Sequence, residues 1–233
     1  YRELFRDSDT LGALRNTLIL ASSAAILSTI MGTAAAVGIN KLRSKALRTA
    51  MDTVTNIPML NADIVTGIAI MLLFVRFWHL GYLSMLAAHI TLGVPYVILN
   101  VAPKLRQMDK NLVDAAQDLG CTWIQAFRYV ILPEIWPGIV SGALIAFTMS
   151  IDDFVISYFT AGSSTSTLAM TIYGMTKRRI TPEINAISTL LFLSVLVLLV
   201  IVNLREVRQE RKRRDLARNG NQAAPRKGLS LRL

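Results

Sequence analysis

Three aspartates, Asp63, Asp152 and Asp153, stand inside runs of residues otherwise apolar enough to cross a bilayer. An ionised side chain is costly in hydrocarbon, so acids in such places mark an ion or substrate path by default. Carboxylates in a low-dielectric wall attract cations, and the faces of aromatic rings attract ammonium groups. Phe154, Tyr158 and Tyr173 could supply such faces, although aromatics near span ends also form the interfacial belt expected of Trp78, Tyr82 and Trp136. Asp63 is placed toward the middle of its run, and at about 1.5 Å per residue Asp152 and Asp153 lie nearly 30 Å up a continuous helix from Pro133. Neighbours on a helix diverge by about 100°, so at most one of that pair points squarely into a shared cavity. The other caps, pairs or faces a neighbouring helix. An internal ion pair or a hydrogen bond at a helix break therefore stands beside direct substrate contact as a reading of the pair.

Other chemistry finds little support. His79 and His89 are far apart and lack partners at metal-ligand spacing, which fits interfacial or buried hydrogen-bonding histidines. The single Cys121 can form no disulfide within the chain. No GxxxxGK[ST] loop, GxSxG elbow or HExxH helix occurs, so neither ATP binding nor hydrolysis by this chain is expected. Neither a cofactor nor a metal is implied.

The elements that would position these acids are membrane spans. The 233 residues are 53% hydrophobic, and the backbone of a lipid-embedded segment satisfies itself only as a helix or closed barrel. The pattern predicts an all-α, polytopic transmembrane helical bundle with five spans, at 17–39, 57–77, 82–102, 135–159 and 184–204, within a transmembrane domain covering 1–204. Of 25 Lys and Arg residues, 18 fall on one side of these spans, which the positive-inside rule makes cytoplasmic. The carboxyl terminus is then cytoplasmic, and residue 1 lies outside. An odd number of spans and no initiating Met lead to the expectation of a sixth, N-terminal span missing from this sequence. The net charge of +10 owes much to the tail, 205–233, with ten basic and three acidic residues. Retention of a cytoplasmic end and contact with anionic lipid account for that better than nucleic acid does. The tail's distal part lacks periodicity and is expected to be disordered.

Two further patterns bear on architecture. Gly138, Gly142, Ala146 and Ser150 recur every four residues, a small-residue ridge for close helix approach, within the subunit or against a second one. Thr181, Pro182 and Glu183 read as an N-cap, a first-turn proline and an acid favoured by the helix dipole.

Residues 109–133 form a polar, small-residue interruption between spans. Leu112, Ala115, Ala116 and Leu119 share one helical face, opposite Asp114 and Asp118. Gly120 breaks that helix, and a second short helix follows with Thr122 and Gln125 at capping-box spacing, until Pro133 and Pro137 mark the next element. The run DAAQDLGCTWIQAFRYVILP resembles the EAA loop of ABC-importer permeases, matching its consensus at Ala115, Ala116, Gly120, Leu132 and Pro133. Asp114 replaces Glu, and Val130 replaces Ile. The resemblance implies that Asp114, Ala115, Ala116, Gly120, Leu132 and Pro133 couple the chain to ATPase subunits.

The stretches NADIVTGIAI at 61–70, SIDDFVISYFTAG at 150–162, IYGM at 172–175 and TPEINAISTLL at 181–191 resemble the PotC-type permeases of spermidine/putrescine importers. Ala62 and Ala169 stand where that family is expected to have proline. The likeness implies a non-catalytic subunit in the cell's plasma or inner membrane. It works with a second permease, two cytosolic ATPase subunits and an extracytoplasmic binding protein, and its cargo is a polyamine. Lys177, Arg178 and Arg179 would repel a free polycation, so this outer cluster is assigned to acidic surface on the binding protein. A permease for another solute of the same class, or an ion-coupled carrier or channel, is the alternative.

Overall fold

The computed structural model describes residues 8–42, 44–77, 79–109, 111–163 and 165–178, with 189–190, 192–193, 195–197, 199–200 and 204. Every regular element among them is helical. The chain divides into two units, Tyr1–Ser188 and Thr189–Leu233. Within the second, the described residues of the expected 184–204 span are helical. Thr181, Pro182, Glu183, Trp78 and the 205–233 tail lie outside the described residues.

The first unit is built on three long helices, α1 (Ser8–Lys41), α4 (Tyr82–Gln107) and α7 (Leu132–Asp152). Lipid tails are as apolar as leucine, so helices in a bilayer associate through close packing rather than through escape from water. The ridge on α7 provides that closeness inside this subunit, running antiparallel along α4. Gly138 faces Asn100, where a Cβ would come within 2.6 Å of the Asn100 carbonyl oxygen. Gly142 faces Val97, Ala146 faces Gly93, and Ser150 faces His89. At the same positions of α4, Gly32 of α1 packs against Val97, and Ser28 against Gly93. The buried core follows this seam through Val97, Val101, Leu105, Ile131, Ile135 and Ile139. Ile19, Ile26 and Ile30 of α1 remain exposed in this subunit.

Two expected spans are broken. The 57–77 span is not one helix: α2 (Lys45–Leu60) and α3 (Asp63–Phe77) meet at 103°. Pro58 removes a backbone donor from the last turn of α2, and Asn61 is extended (φ −78, ψ 150), which turns the chain. Asp63 therefore opens α3 instead of lying in mid-helix. The 135–159 span also divides, because α7 ends at Asp152, Asp153 is extended (φ −69, ψ 112), and α8 (Val155–Thr160) starts afresh. By length and composition, α1, α4 and the helical run Trp123–Asp152 each suffice to cross a membrane, and the bent α2–α3 pair makes a fourth if counted as one broken span.

The ends of the helices at this side of the bundle are tied by buried polar contacts. The Ser84 hydroxyl donates to the Thr160 carbonyl (2.9 Å), and the Leu168 N–H donates to Thr17 Oγ1 (2.8 Å). The second of these attaches α9 (Leu168–Arg178) to α1.

Candidate functional site: an acidic cavity and a helical knob

The two breaks open onto one cavity of about 230 Å³. Pro58 and Met59 reach it from the end of α2, Asp63 from the start of α3, Tyr96 from α4, and Asp152 and Phe154 from the α7–α8 junction. Asp153 lines it as well, so three acids separated by up to 90 positions in the chain are brought together. No Lys or Arg among the described residues joins them.

The acids are not equivalent. Asp153 accepts the backbone N–H groups of Ser157 (2.8 Å) and Ile156 (3.3 Å), satisfying donors that the first turn of α8 would otherwise leave orphaned. Asp63 sits in the first turn of α3, where the helix dipole favours negative charge. Asp152 is exposed in the last turn of α7, at the negative end of the dipole. The described residues offer no hydrogen-bonding or cationic partner to the side chain of either Asp63 or Asp152.

Phe154 extends the site into an aromatic cluster. Its ring centroid is 4.3 Å from that of Tyr173 and 5.5 Å from that of Tyr158, and both tyrosines are exposed. Lys177 and Arg178 end α9, the helix that carries Tyr173, while Arg179 lies outside the described residues. His89 was readable in the sequence as a hydrogen-bonding histidine, but its partners Ser150 and Ser157 lie 61 and 68 positions away, with nothing local to announce them.

At the far end of α4 and α7 the chain forms a knob. The helix α5 (Asn111–Asp118) stops at Gly120, whose φ of +87 is accessible to glycine at little cost. The Gly120 N–H bonds to the Gln117 carbonyl (2.8 Å) and the Cys121 N–H to Ala116 (3.1 Å), the paired bonds of a Schellman cap. Thr122 then caps α6 (Trp123–Ala126) with Gln125 as the reciprocal partner of its capping box. Pro133 stands in the first turn of α7, where the sequence places the start of the next element, and the helical run is continuous from Trp123 to Asp152. A π-helical turn, Phe127–Ile131, widens the backbone ahead of Pro133, and the Leu132 N–H reaches back five residues to Phe127. That wider turn accommodates a proline ring that would otherwise crowd the carbonyl four residues before it.

Asp114 and Ala115 are exposed and Ala116 is half-buried, while Leu112, Leu119 and Ile124 present apolar side chains outward. Lys41, at the end of α1, places its ammonium 3.5 Å from the centroid of the Trp123 ring, tying the knob to the bundle.

Comparison with known proteins agrees with this arrangement. The chain is 34% identical over 226 residues to the putrescine transport system permease protein PotI of Escherichia coli K12, covering 94% of this chain and 80% of that one. It is 34% identical over 205 residues to the spermidine/putrescine transport system permease protein PotC of Haemophilus influenzae, covering 88% and 79%. The fold is shared with a chain of the MetNI methionine ABC transporter, at a TM-score of 0.68 and 18% identity, over 86% of this chain and 94% of that one. A bacterial ABC transporter involved in alginate import gives the same TM-score at 19% identity, over 88% and 82%. Residues 28–215 match the family described as binding-protein-dependent transport system inner membrane component, and the chain belongs to that family.

Proposed function

We propose that this chain forms half of the membrane path of an ABC importer for polyamines such as putrescine and spermidine. The observation that carries the reading is the cavity at the two broken helices, where Asp63 and Asp152 face the same space with no basic residue among its described lining. A flexible polycation crossing a low-dielectric region needs negative charge along its way, and Asp152 occupies a position that the field of its own helix makes unfavourable until a cation arrives. Carbonyls at the ends of α2 and α7 add partial negative charge to the same space, a device of discontinuous helices in transporters. The rings of Phe154, Tyr158 and Tyr173 offer faces to ammonium groups. At about 230 Å³ the cavity falls below the roughly 300 Å³ where small-molecule sites usually begin, which suits a narrow cargo or a path completed by a second permease.

ATP hydrolysis belongs to separate cytosolic subunits, which grip Asp114, Ala115, Ala116 and Gly120, with Leu132 and Pro133 fixing the knob to α7. Closure of those subunits moves the knob, and the spans rock as bodies to open the cavity alternately to each side. The knob and the carboxyl terminus are cytoplasmic in this reading, and Lys177–Arg179 meet acidic surface of a binding protein on the opposite side. The test is uptake of labelled putrescine and spermidine by proteoliposomes containing the whole complex. Uptake competed by other polyamines, but not by anionic solutes, supports the cargo; no uptake of either polyamine removes it and leaves the family membership standing.

A further inference from the structure

One residue of α4 holds the α7–α8 break from the side. His89 is 4% exposed. Its Nδ1 lies 2.9 Å from the hydroxyl of Ser150, in the last turn of α7. Its Nε2 lies 3.0 Å from the hydroxyl of Ser157, in α8, and 3.6 Å from Asp153 Oδ2. A single ring thus touches the end of one half-helix, the start of the next and the carboxylate between them. A neutral imidazole donates from one nitrogen and accepts at the other, and hydroxyls serve in either role. The carboxylate beside Nε2 favours the proton there, which leaves Nδ1 to accept from Ser150.

The far end of α8 is held by the Ser84 hydroxyl on the Thr160 carbonyl, and Ile156 and Phe159 lie against Gly67 of α3. A helix of six residues is too short to be stable by itself, so its direction also depends on what holds its first turn. Asp153 supplies the cap from an extended residue whose N–H is bonded to the Met149 carbonyl of α7. His89 fixes that carboxylate against Ser157 while anchoring to Ser150 behind the break. The two residues flanking Asp153 are Asp152 and Phe154, both in the cavity wall.

We infer that His89 is a positioning residue for transport: it sets the angle between α7 and α8, and through that angle directs Asp152 and Phe154 into the cavity. The inference rests on the cavity being the cargo path. His89 lines the cavity, but it is almost fully buried and both ring nitrogens are engaged by Ser150 and Ser157. It acts through Asp153 and the start of α8, so removing it changes transport only to the extent that the break is released.

The test compares wild type, His89→Leu, His89→Gln, Asp153→Ala and the double variant His89→Leu/Asp153→Ala in the complete complex in lipid nanodiscs. Hydrogen exchange at the Ile156 and Ser157 amides is followed beside putrescine uptake by proteoliposomes. His89→Leu is expected to speed exchange at those amides, and to slow uptake, by about tenfold each. His89→Gln, whose amide can donate toward Ser157 and Asp153, is expected to restore most of both. In the Asp153→Ala background His89→Leu should add little, because the two act as one unit. Unchanged exchange in His89→Leu, additive effects in the double variant, or a Gln variant no better than Leu would each overturn the inference. If His89→Leu does not assemble, Ser157→Ala takes its place, with accelerated exchange at Ile156 expected and unchanged exchange overturning the idea. A wild-type complex that takes up no putrescine defeats the cargo reading, while the exchange measurements still decide whether His89 holds the break.

Discussion

A carboxylate at the carboxyl end of a helix meets the negative end of the macrodipole, and Asp152 holds that position with no partner for its side chain among the described residues. Its neighbour Asp153 is spent on two backbone donors. The pair should therefore respond differently to substitution. Asp152→Asn keeps the shape and removes a charge the helix disfavours, so thermal stability of the complex should hold or rise slightly. Putrescine uptake should fall by about ten- to a hundredfold, the worth of one charge-assisted contact to the cargo. Asp153→Ala removes the cap of α8 and should cost about 0.5–2 kcal/mol, read as a lower thermal midpoint. The opposite pattern, stability lost at Asp152 and kept at Asp153, would reverse the assignment. The sequence marked both acids, because charge within an apolar run is conspicuous. It could not separate them, because the helix ends between them, and a turn away from α-helical torsions at Asp153 leaves no trace in residue spacing.

Among the elements, those stabilised by neighbours in sequence were legible and those shaped by distant packing were not. The Schellman cap at Gly120 and the box of Thr122 with Gln125 are completed within a few residues, so their spacing announces them. The 103° bend between α2 and α3 sits in a stretch whose composition reads as one span, with Pro58, Asn61 and Asp63 as its only local signs. The small-residue ridge of α7 was visible as a period of four, but its partner was not, since nothing local says that Gly142 meets Val97. That contact carries its own prediction. A Cβ on Gly142 would lie 2.9 Å from the Val97 Cα, so backbone must move to admit it. Gly142→Val should destabilise the subunit by about 1–3 kcal/mol. Gly174→Ala is the control, since open space surrounds Gly174, and alanine gains up to about 1 kcal/mol of helix propensity there. Thermal unfolding in detergent distinguishes them, and equal midpoints for the two variants would contradict the packing described.

Across the whole molecule, the knob and the cavity occupy opposite ends of α7, the knob joined through a helical run unbroken from Trp123 to Asp152 and the cavity beginning where that run stops. A continuous helix passes displacement along its length, whereas a break lets the next segment take another direction, so motion applied at Gly120 arrives at Asp152 before it reaches α8. Coupling and cargo contact should then be separable by mutation. Gly120 is bound to a positive φ in open surroundings, so a β-branched residue there strains the backbone by about 1–2 kcal/mol without colliding with anything. Gly120→Val should disturb the knob, lower co-purification of the ATPase subunits and abolish the stimulation of ATP hydrolysis by a polyamine-loaded binding protein. The bundle and its cavity should stay intact, as judged by an unchanged thermal midpoint of the isolated permease pair. Asp152→Asn should do the reverse, keeping the ATPase subunits attached and the stimulation largely present while net uptake is lost. Were Gly120→Val to leave stimulation untouched, the knob would not be the point through which ATP hydrolysis drives the helices. Were Asp152→Asn to lose ATPase attachment as well, the two ends of α7 would form one inseparable unit, and the break at Asp153 would have no part in dividing their work.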